Sequence, residues 1–565
     1  MADDFSLVPL PASLRKRFYE PVVFFTCISD IFAAHNSTEI PEQETVVPRS
    51  PKQTFVHFVN KLGQICDNKR GGNTVTAFAV LQPGVIEYRF ASNRRSRESL
   101  ENVQAYVASI LEILSPGQAS DAEVSKADDQ SKLFERILRV VLDFNRLRVE
   151  YYARTLVQQL DFCIENSAIQ NTAEGDATSK DLRALKPLAI FANQRPKVSK
   201  EEFVDKSVTL LRAIDGRYPH GGPLERFIRA KSNKDRTGPS ENPWANVDHA
   251  LGRLLSYFVA IKILISARRE WPMLFEDFSV VAVRSSQPDP KPPAIAKSAE
   301  KIIKRMTNQR SVIDAYHQHA SNLQQWGLDT RIKEKAEANF TPIVHAELLL
   351  LDSILRSEQA NLGSEEETPR FWNEAEFGRY IGCSKPTCHL CALYIEEHRK
   401  QCIDGGVQVR PSHHNVYSNW RAPDVFAKDG KEAETRRNQV LEQVVKGIRA
   451  LTFKAIRERS VFRNPFDSNN TPSDPTRTTN HGASMIAIDG SALAQEEEGN
   501  DLVSRMSRLG IGLGHGDGNS SRATAARPVS VQTVYEEILD AQVGRYRGGR
   551  NYHGQDDDEE GGATL

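Results

Sequence analysis

The chain has 565 residues, enough for roughly four domains of about 150 residues each, which excludes a single small module. Hydrophobic residues make up 39% and charged residues 26%, and the mean hydropathy is -0.48. This slightly lean composition predicts polar tails or linkers beside a folded part. The 73 basic and 74 acidic side chains leave a net charge of -1, which excludes a global positive field for nucleic acid or an anionic membrane.

The N-terminus and the cysteine usage predict an intracellular protein, cytoplasmic or nuclear, that is not secreted. The N-terminal residues lack the basic-then-apolar order of a signal peptide, and no run of 18 apolar residues occurs that could span a bilayer. Seven cysteines are an odd and sparse set, which argues against a disulfide framework. Four of them, Cys383, Cys388, Cys391 and Cys402, lie close together in the sequence.

In chain order, residues 1–50 mix short apolar patches with a stretch rich in Pro and Glu, and they predict one or two helices and a loop. Residues 74–93 contain two β-branched and aromatic runs separated by Pro83 and Gly84, which predicts a β-hairpin. From residue 96 to 335 the apolar residues recur three and four positions apart, as in amphipathic helices.

A mixed α/β pattern follows the helical region. It predicts an apolar helix from Pro342 to Leu355, a short strand at 379–382, a helix from Cys388 onward and a final helix from Lys431 to Arg459. The last residues, 461–565, are rich in Ser, Asn, Gly and Asp and predict a mostly disordered tail.

His345, Cys388 and Cys391 are the candidate metal ligands. One imidazole and two thiolates suit a tetrahedral Zn²⁺ whose fourth position stays open for water, the ligand count of a catalytic site. The two cysteines are expected to open a helix, where backbone N–H groups and the helix dipole favour thiolate over thiol. Zinc would lower the pKa of its bound water to about 7, and Glu347 is the candidate proton carrier.

The spacing of His345 and Glu347 restricts this geometry. Residues i and i+2 of a helix point about 200° apart, so the two side chains do not share a helix face. Both reach one ion only if it lies beyond the first turn of their helix. Thr341 and Pro342 supply an N-cap and a first-turn proline just upstream, so this arrangement is permitted.

The motifs resemble those of the cytidine-deaminase-like zinc deaminases, whose signature is H-x-E followed by P-C-x-x-C. HAE at 345–347, GCSKPTCHLC at 382–391 and HHNVYSNW at 413–420 are most similar to a poorly characterised branch of predicted nucleotide or nucleic-acid deaminases. The resemblance implies that the histidine and the two cysteines bind Zn²⁺. It also implies that Glu347 is the catalytic general acid/base that moves a proton from the water to the leaving amine.

The resemblance further implies a three-layer α/β domain, cytidine-deaminase-like, in which two antiparallel strands precede the H-x-E helix. The hairpin at 74–93 suits those strands, although roughly 250 residues separate it from His345. We therefore expect a deaminase domain that is split by a large all-α insertion. The alternative left open is that the hairpin belongs to an independent N-terminal domain and that the deaminase strands lie near Leu328 to Ile332.

Five parts are predicted along the chain. They are an N-terminal segment of helices and loop at 1–50, the first part of the deaminase domain at 51–95, the helical insertion at 96–335, the catalytic core at 336–460 and the disordered tail at 461–565. The insertion or the tail is the expected surface for a protein partner.

Five other residues are candidate substrate contacts. By the resemblance, Asn93 at the end of the second strand, and Ser384 and Lys385 in the loop before the cysteines, line the pocket. Tyr417 and Trp420 can stack on a flipped base, although aromatic residues at this spacing also commonly cap a core.

Three residues near the cysteine pair carry separate expectations. Thr387 separates the motif proline from Cys388, where the signature has the two adjacent, so the resemblance does not define the shape of the substrate pocket. His389 is expected to point away from the metal, on the helix surface. Cys383 leaves open a closed Cys₃His site, in which zinc is structural and has no water to activate.

The sequence thus predicts zinc-dependent hydrolytic deamination, a reaction on the C–N bond of an amidine, of a cytosine- or adenine-type base. A nucleotide and a single-stranded nucleic acid both remain open as substrates, and no membrane partner is expected. The alternative is an inactive, deaminase-derived protein in which zinc is structural and the helical insertion binds a partner.

Overall fold

The structure, a computed structural model, describes residues 6–462. It leaves out residues 36–37, 40–49, 83, 117–125, 170–171, 195–197, 235–241, 288–293, 339–340, 361–368 and 403–405. The described residues all lie in one compact unit. The predicted disordered tail lies outside the described residues from 463 onward, whereas its first two residues form a short strand.

Helices make up most of the described chain, as the apolar periodicity predicts. They are α1 (Ala12–His35), α2 (Pro51–Cys66), α3 (Arg97–Leu114), α4 (Lys126–Phe144), α5 (Arg146–Ala168), α6 (Ala173–Ala189), α7 (Lys200–Arg217), α8 (Pro223–Lys234), α9 (Pro243–Glu270), α10 (Ala299–Met306), α11 (Arg310–Leu323), α12 (Leu328–Glu337), α13 (Ala346–Ala360), α14 (Glu374–Phe377), α15 (His389–Lys400) and α16 (Gly430–Glu458). Ser50, Ser96 and Ser199 cap α2, α3 and α7, because each hydroxyl accepts a hydrogen bond from a backbone N–H of the first turn.

The strands form one five-stranded mixed sheet and one small two-stranded sheet. They are β1 (Thr38–Glu39), β2 (Thr76–Leu81), β3 (Ile86–Ser92), β4 (Phe278–Val283), β5 (Tyr380–Cys383), β6 (Gln408–Val409) and β7 (Val461–Phe462). The strand order in the larger sheet is β4-β3-β2-β5-β6, and β1 pairs with β7 in the smaller one. β2 is antiparallel to β3 and β5, whereas the outer pairs β3–β4 and β5–β6 are parallel.

The predicted hairpin lies beside the strand that precedes the cysteine motif. In this sheet Ala77 of β2 is opposite Cys383 of β5, and Phe78 is opposite Gly382. Segments about 300 positions apart in the sequence are therefore hydrogen-bonded neighbours. The alternative position for the deaminase strands, near Leu328 to Ile332, is wrong because those residues belong to helix α12.

The expectation of an all-α insertion is wrong at one segment. β4 interrupts the helices of the insertion and pairs with β3 along six residues, from Ile86 opposite Phe278 to Ala91 opposite Val283. The segment FSVVAV is rich in β-branched residues, which suit a strand, but it is short and lies between helices. A strand of this kind depends on an existing sheet edge, which a local sequence pattern does not show.

The five-stranded sheet separates two hydrophobic cores. Alternate residues of β2 point to opposite faces. Phe78 and Val80 join the core formed with α2 and the helices α3 to α9, whereas Ala77, Ala79 and Leu81 join the core formed with α1, α13, α15 and α16. The helical insertion thus packs mainly against one face of the sheet, and the helices that carry the motifs pack against the other.

Helix α9 is, by length and composition, long and apolar enough to cross a membrane. The sequence analysis does not predict this, because it finds no uninterrupted run of 18 apolar residues. However, 83% of its most apolar window is buried inside the protein. Residues such as Leu251, Leu254 and Leu264 belong to the core of the insertion. Because the core helix of a soluble protein passes the same test, this helix is weak evidence for a membrane span.

Helix α13 begins four residues later than the sequence predicts, at Ala346 instead of Pro342. The residues before it are extended because Ile343 forms a parallel bridge with Trp420. The N–H of Ile343 donates to the carbonyl of Asn419 at 2.8 Å, and the N–H of Arg421 donates to the carbonyl of Ile343 at 2.9 Å. This pairing determines where the helix starts and therefore where its first side chains point.

We expect Gly63→Ala to lower the free energy of unfolding by about 1–3 kcal/mol, although alanine favours a helix. A Cβ atom at this position in α2 would lie 2.7 Å from the carbonyl oxygen of Thr76 and 2.8 Å from the backbone nitrogen of Ser384. Gly216→Ala in α7 is the matched control, because a Cβ there meets nothing within 4 Å. Urea unfolding measures both, and equal effects would contradict the close contact of α2 with the sheet.

Candidate metal centre

Three chain segments meet on one side of the sheet, and each contributes polar side chains at the end of an element. Asn93 directly follows β3, His345 directly precedes α13, and Cys388 directly precedes α15. All three side chains are buried. The residues that the motifs bring together in the sequence analysis therefore lie together in the structure.

His345 lies just outside its helix, which resolves the problem of its spacing from Glu347. Its carbonyl accepts the first helical hydrogen bonds, from the N–H groups of Leu348 and Leu349 at 3.0 and 2.9 Å. Glu347 lies in the first turn of α13. Since only one of the two residues has helical geometry, both side chains can face the same point beyond the helix N-terminus.

Cys388 is the N-cap residue of α15. Its Sγ accepts a hydrogen bond from the N–H of Cys391 at 3.4 Å, and its carbonyl accepts from the N–H of Ala392 at 2.9 Å. The free N–H groups and the dipole of a helix N-terminus favour a negative charge at this position. Thiolate at Cys388 is therefore stabilised by the local backbone, as the sequence predicts for the start of this helix.

The spacing of the three candidate ligand atoms fits a tetrahedral zinc ion. Nδ1 of His345 lies 3.4 Å from Sγ of Cys388 and 3.5 Å from Sγ of Cys391. Zn–S bonds of about 2.3 Å and a Zn–N bond of about 2.0–2.1 Å would place nitrogen and sulfur about 3.5 Å apart. Among the residues that the structure describes, these three buried side chains form a group that could hold a metal ion, and Cys383 is outside it.

The surroundings of Cys388 favour its thiolate form. Burial opposes ionisation of Cys388, but hydrogen bonding from Cys391 and the charge of His345 together hold its pKa well below the ordinary value. Burial would likewise lower the pKa of His345, yet the neighbouring Cys388 thiolate raises it. A buried thiolate next to an imidazole is a combination that a borderline-soft metal ion such as zinc can bind.

Glu347 is buried next to the three candidate ligands. Burial, with a further contribution from the charge of Cys388, raises its pKa to about 7. The thiol of Cys383 hydrogen-bonds to the Glu347 carboxylate, and burial together with that carboxylate raises the pKa of this thiol well above its usual range. Cys383 is therefore a protonated neighbour of the candidate proton carrier. A carboxyl group with a pKa near neutrality can both accept and donate a proton.

Trp420 does not occupy the place that the sequence predicts for a substrate contact. Its side chain is fully buried, and its indole N–H donates to Sγ of Cys391 at 3.2 Å. The rings of Phe18 and Tyr394 lie 5.3 and 6.1 Å from the indole, measured between centroids. Trp420 thus belongs to the core behind the metal centre, where its hydrogen bond draws negative charge from a candidate ligand.

A partly open cleft with a cavity volume of about 40 Å³ lies against the metal centre. Its lining residues are Gly72, Val75, Asn93, His345, Glu347, Lys385, Pro386, Cys388, His413 and Tyr417. Of the predicted substrate contacts, Asn93, Lys385 and Tyr417 are therefore at the cleft. The ring of Tyr417 lies 6.2 Å from that of His345, centroid to centroid, so it forms part of the wall above the ligands.

Ser384, another predicted substrate contact, is not in the cleft lining. Its hydroxyl accepts a hydrogen bond from the N–H of Thr76 at 3.2 Å, and its own N–H donates to the carbonyl of Thr76 at 2.9 Å. The side chain is buried in this contact between β2 and the chain after β5. Ser384 therefore extends the pairing of the sheet.

The cleft also contains residues to which the sequence analysis assigns no role. His413 lines it, and the Nδ1 atom of this side chain accepts a hydrogen bond from the N–H of Asn415 at 3.0 Å. Gly72 lines it from the loop between α2 and β2. The only sequence signals for these residues are a histidine pair close to the motif aromatics and a Gly-Gly pair before the hairpin. Both are common in unrelated loops.

The expectation that His389 lies on the helix surface is wrong. Its side chain is buried, and its ring lies 5.5 Å from that of His414, centroid to centroid. Burial, with contributions from His414 and His413, lowers the pKa of His389 to about 3, so this imidazole is neutral. The first residue of α15 faces inward because the loop that carries the other two histidines covers it.

Comparison with known proteins identifies one family. Residues 344–424 match the model of a family described as OTT_1508-like deaminase. The matched segment contains His345, Glu347 and both cysteines of the metal centre, but it excludes the hairpin and the helical insertion. No curated protein and no solved structure shows a significant match to the chain. The segment is therefore similar to a deaminase domain.

We expect His345→Ala and Cys391→Ala to abolish zinc binding, because each removes one of the three candidate ligands. Inductively coupled plasma mass spectrometry of the purified protein measures the zinc content. Cys383→Ala is the matched control and should retain zinc, since its thiol contacts Glu347 and is outside the ligand group. Full retention of zinc in both ligand variants would contradict the site.

We expect Trp420→Phe to weaken metal binding about ten-fold, the usual scale for loss of a hydrogen bond to a metal ligand. The phenyl ring keeps most of the packing but removes the N–H that donates to Cys391. Cobalt-substituted protein should show a shifted thiolate-to-cobalt absorption band. Trp271→Phe, in the other hydrophobic core, is the control and should leave both the affinity and the band unchanged.

Proposed function

We propose that the protein is a zinc-dependent hydrolytic deaminase of a cytosine- or adenine-type base. The observation that carries the proposal is the buried carboxyl group of Glu347, which lines a cleft beside the His345, Cys388 and Cys391 side chains. The deaminase family match over residues 344–424 supports it. A carboxyl group next to such a metal site is the combination that zinc deaminases use.

His345, Cys388 and Cys391 would hold the zinc ion. When bound, zinc lowers the pKa of a water molecule and so supplies a nucleophile at neutral pH. The thiol of Cys383 is hydrogen-bonded to Glu347, which favours a site with three protein ligands over a closed Cys₃His site. This observation supports an enzyme in preference to a protein with structural zinc.

Glu347 would carry the proton. As carboxylate it accepts a proton from the attacking water, and as carboxylic acid it donates that proton to the amine that leaves as ammonia. The overall reaction replaces the C–NH₂ group of the base with a carbonyl and consumes one water molecule.

The remaining cleft residues would bind the substrate. Tyr417 offers an aromatic face for a base, and Lys385 offers a cation for a phosphate group, whether of a nucleotide or of a single strand. Asn93 has an amide at the cleft wall. A nucleotide or a single-stranded nucleic acid is the substrate class we propose.

The arrangement of the sheet supports a cytidine-deaminase-like architecture. The antiparallel hairpin β2–β3 lies beside β5, and β5 runs parallel to β6, with α13 and α15 following the two motif loops. Helices pack against both faces of the sheet. We include in the proposal a three-layer domain split by the insertion, an intracellular location and a protein partner for the insertion or the tail.

The test is a panel of free nucleosides, nucleotides, single-stranded DNA and RNA, assayed for uracil or inosine products. We expect zinc-loaded Glu347→Gln to lower kcat at least about 10²-fold, because general acid/base catalysis contributes that much, and to retain its zinc. Glu98→Gln is the control, since Glu98 also lies in the first turn of a helix but is exposed. Wild-type protein with full zinc and no product from any substrate would favour the inactive alternative.

A further inference from the structure

The helical insertion caps the C-terminal end of α2, the helix that precedes the cleft wall. The carbonyl of Ile65 accepts hydrogen bonds from the hydroxyl of Tyr106 at 3.2 Å and from the side-chain amide of Asn145 at 2.8 Å. Tyr106 lies on α3 and Asn145 lies between α4 and α5, so both belong to the insertion. The last carbonyls of a helix lack helical partners, and here the insertion supplies them.

An ion pair continues this contact into the loop after α2. Nη1 of Arg148 on α5 lies 2.6 Å from Oδ2 of Asp67 and donates to the carbonyl of Asp67 at 2.7 Å. Only 4% of the arginine side chain and 2% of the aspartate side chain are exposed. Arg70 of the same loop lies over the ring of Tyr151 on α5, 3.7 Å from its centroid. The insertion therefore holds the loop at two points.

The loop after α2 also connects the ion pair to the cleft wall. The other carboxylate oxygen of Asp67 accepts a hydrogen bond from the hydroxyl of Thr74 at 2.6 Å, which joins the two ends of the loop. Within the loop, the carbonyl of Gly72 accepts from the side-chain amide of Asn93 at 2.8 Å. Gly72 and Asn93 both line the cleft.

Asn93 completes the connection to the metal centre. Its Oδ1 atom accepts a hydrogen bond from the N–H of Ala346 at 2.7 Å. Ala346 is the first residue of α13 and lies between His345, a candidate zinc ligand, and Glu347, the candidate proton carrier. These contacts run from a helix of the insertion to the residue between these two groups, through side-chain hydrogen bonds and the short stretch of backbone between Gly72 and Thr74.

We propose that Arg148 and Asp67 are positioning residues, through which the helical insertion sets the cleft wall and the start of α13. This inference rests on the proposed function, since it concerns the same site. Arg148, Asp67, Thr74 and Asn93 are all buried, so bulk water cannot replace a contact that is removed. The ion pair therefore has to be intact for the loop to hold Asn93 against the backbone of Ala346.

Arg148→Met and Thr74→Val test the proposal, because they break the connection on opposite sides of Asp67. We expect each variant to raise the zinc dissociation constant about ten-fold, measured by chelator competition, as loss of support behind a metal ligand does. The amides of residues 68–75 and of Ala346 should exchange with deuterium at least ten-fold faster. Arg148→Lys keeps the positive charge. It should therefore raise the zinc dissociation constant and the amide exchange rates less than Arg148→Met does.

Arg139→Met is the control. It also removes an ion pair of the insertion, between Arg139 and Asp205 at 2.6 Å, but this pair is partly exposed and joins α4 to α7. Both zinc affinity and exchange should remain as in the wild type.

Wild-type zinc affinity and exchange in folded Arg148→Met would overturn the proposal. If circular dichroism shows that Arg148→Met does not fold, the same measurements on Thr74→Val test the proposal. Valine has nearly the same shape as threonine, so this variant is expected to fold, and wild-type zinc affinity and exchange in it would overturn the proposal. A wild-type protein without deaminase activity would refute the proposed function. The zinc affinity and amide exchange measurements would still test the positioning role, because they do not depend on deaminase activity.

Discussion

Two helix N-termini meet over one sheet, and the metal centre depends on how they are held there. Cys388 is buried, and a buried thiolate is costly unless backbone N–H groups and a neighbouring cation compensate for its lost hydration. The start of α15 supplies the N–H groups, and His345 at the start of α13 supplies the imidazole. Any change in the relative position of these two helix starts would separate the three donor atoms.

Residues far apart in the sequence keep the two helix starts in place. The bridge between Ile343 and Trp420 determines where α13 begins, and the indole of Trp420 also hydrogen-bonds to Cys391. On the opposite side, Asn93 at the end of β3 holds the N–H of Ala346. The same few side chains therefore shape the cleft and hold the ligands, so the site and its supporting core cannot vary independently.

The candidate ligands and the helical character could be predicted from the sequence, because both depend on local patterns. His345, Cys388 and Cys391 follow from short motifs, and the helices follow from apolar periodicity. Trp420 lies in the core, the alternative that its spacing leaves open, and Ser384 lies outside the cleft lining. Residue type alone does not show which side of a loop faces the substrate. No local pattern predicts strand β4, because its six residues depend on the edge of β3. The contact of Arg148 with Asp67 cannot be predicted from a local pattern either, because it joins segments about 80 positions apart.

β4 has a further consequence for how this protein can be dissected. It lies at the end of the five-stranded sheet and covers the edge of β3 with a parallel strand supplied by the insertion. A shortened protein without residues 96–335 would lose that strand and expose unpaired backbone N–H and carbonyl groups along β3, which is a template for edge-to-edge aggregation. The core that contains Phe78 and Phe90 on the same face would also lose the apolar residues that the insertion contributes to it. The insertion is therefore a structural part of the domain that it interrupts. A minimal soluble version has to keep it, or replace both strand β4 and the apolar residues that the insertion adds to the core.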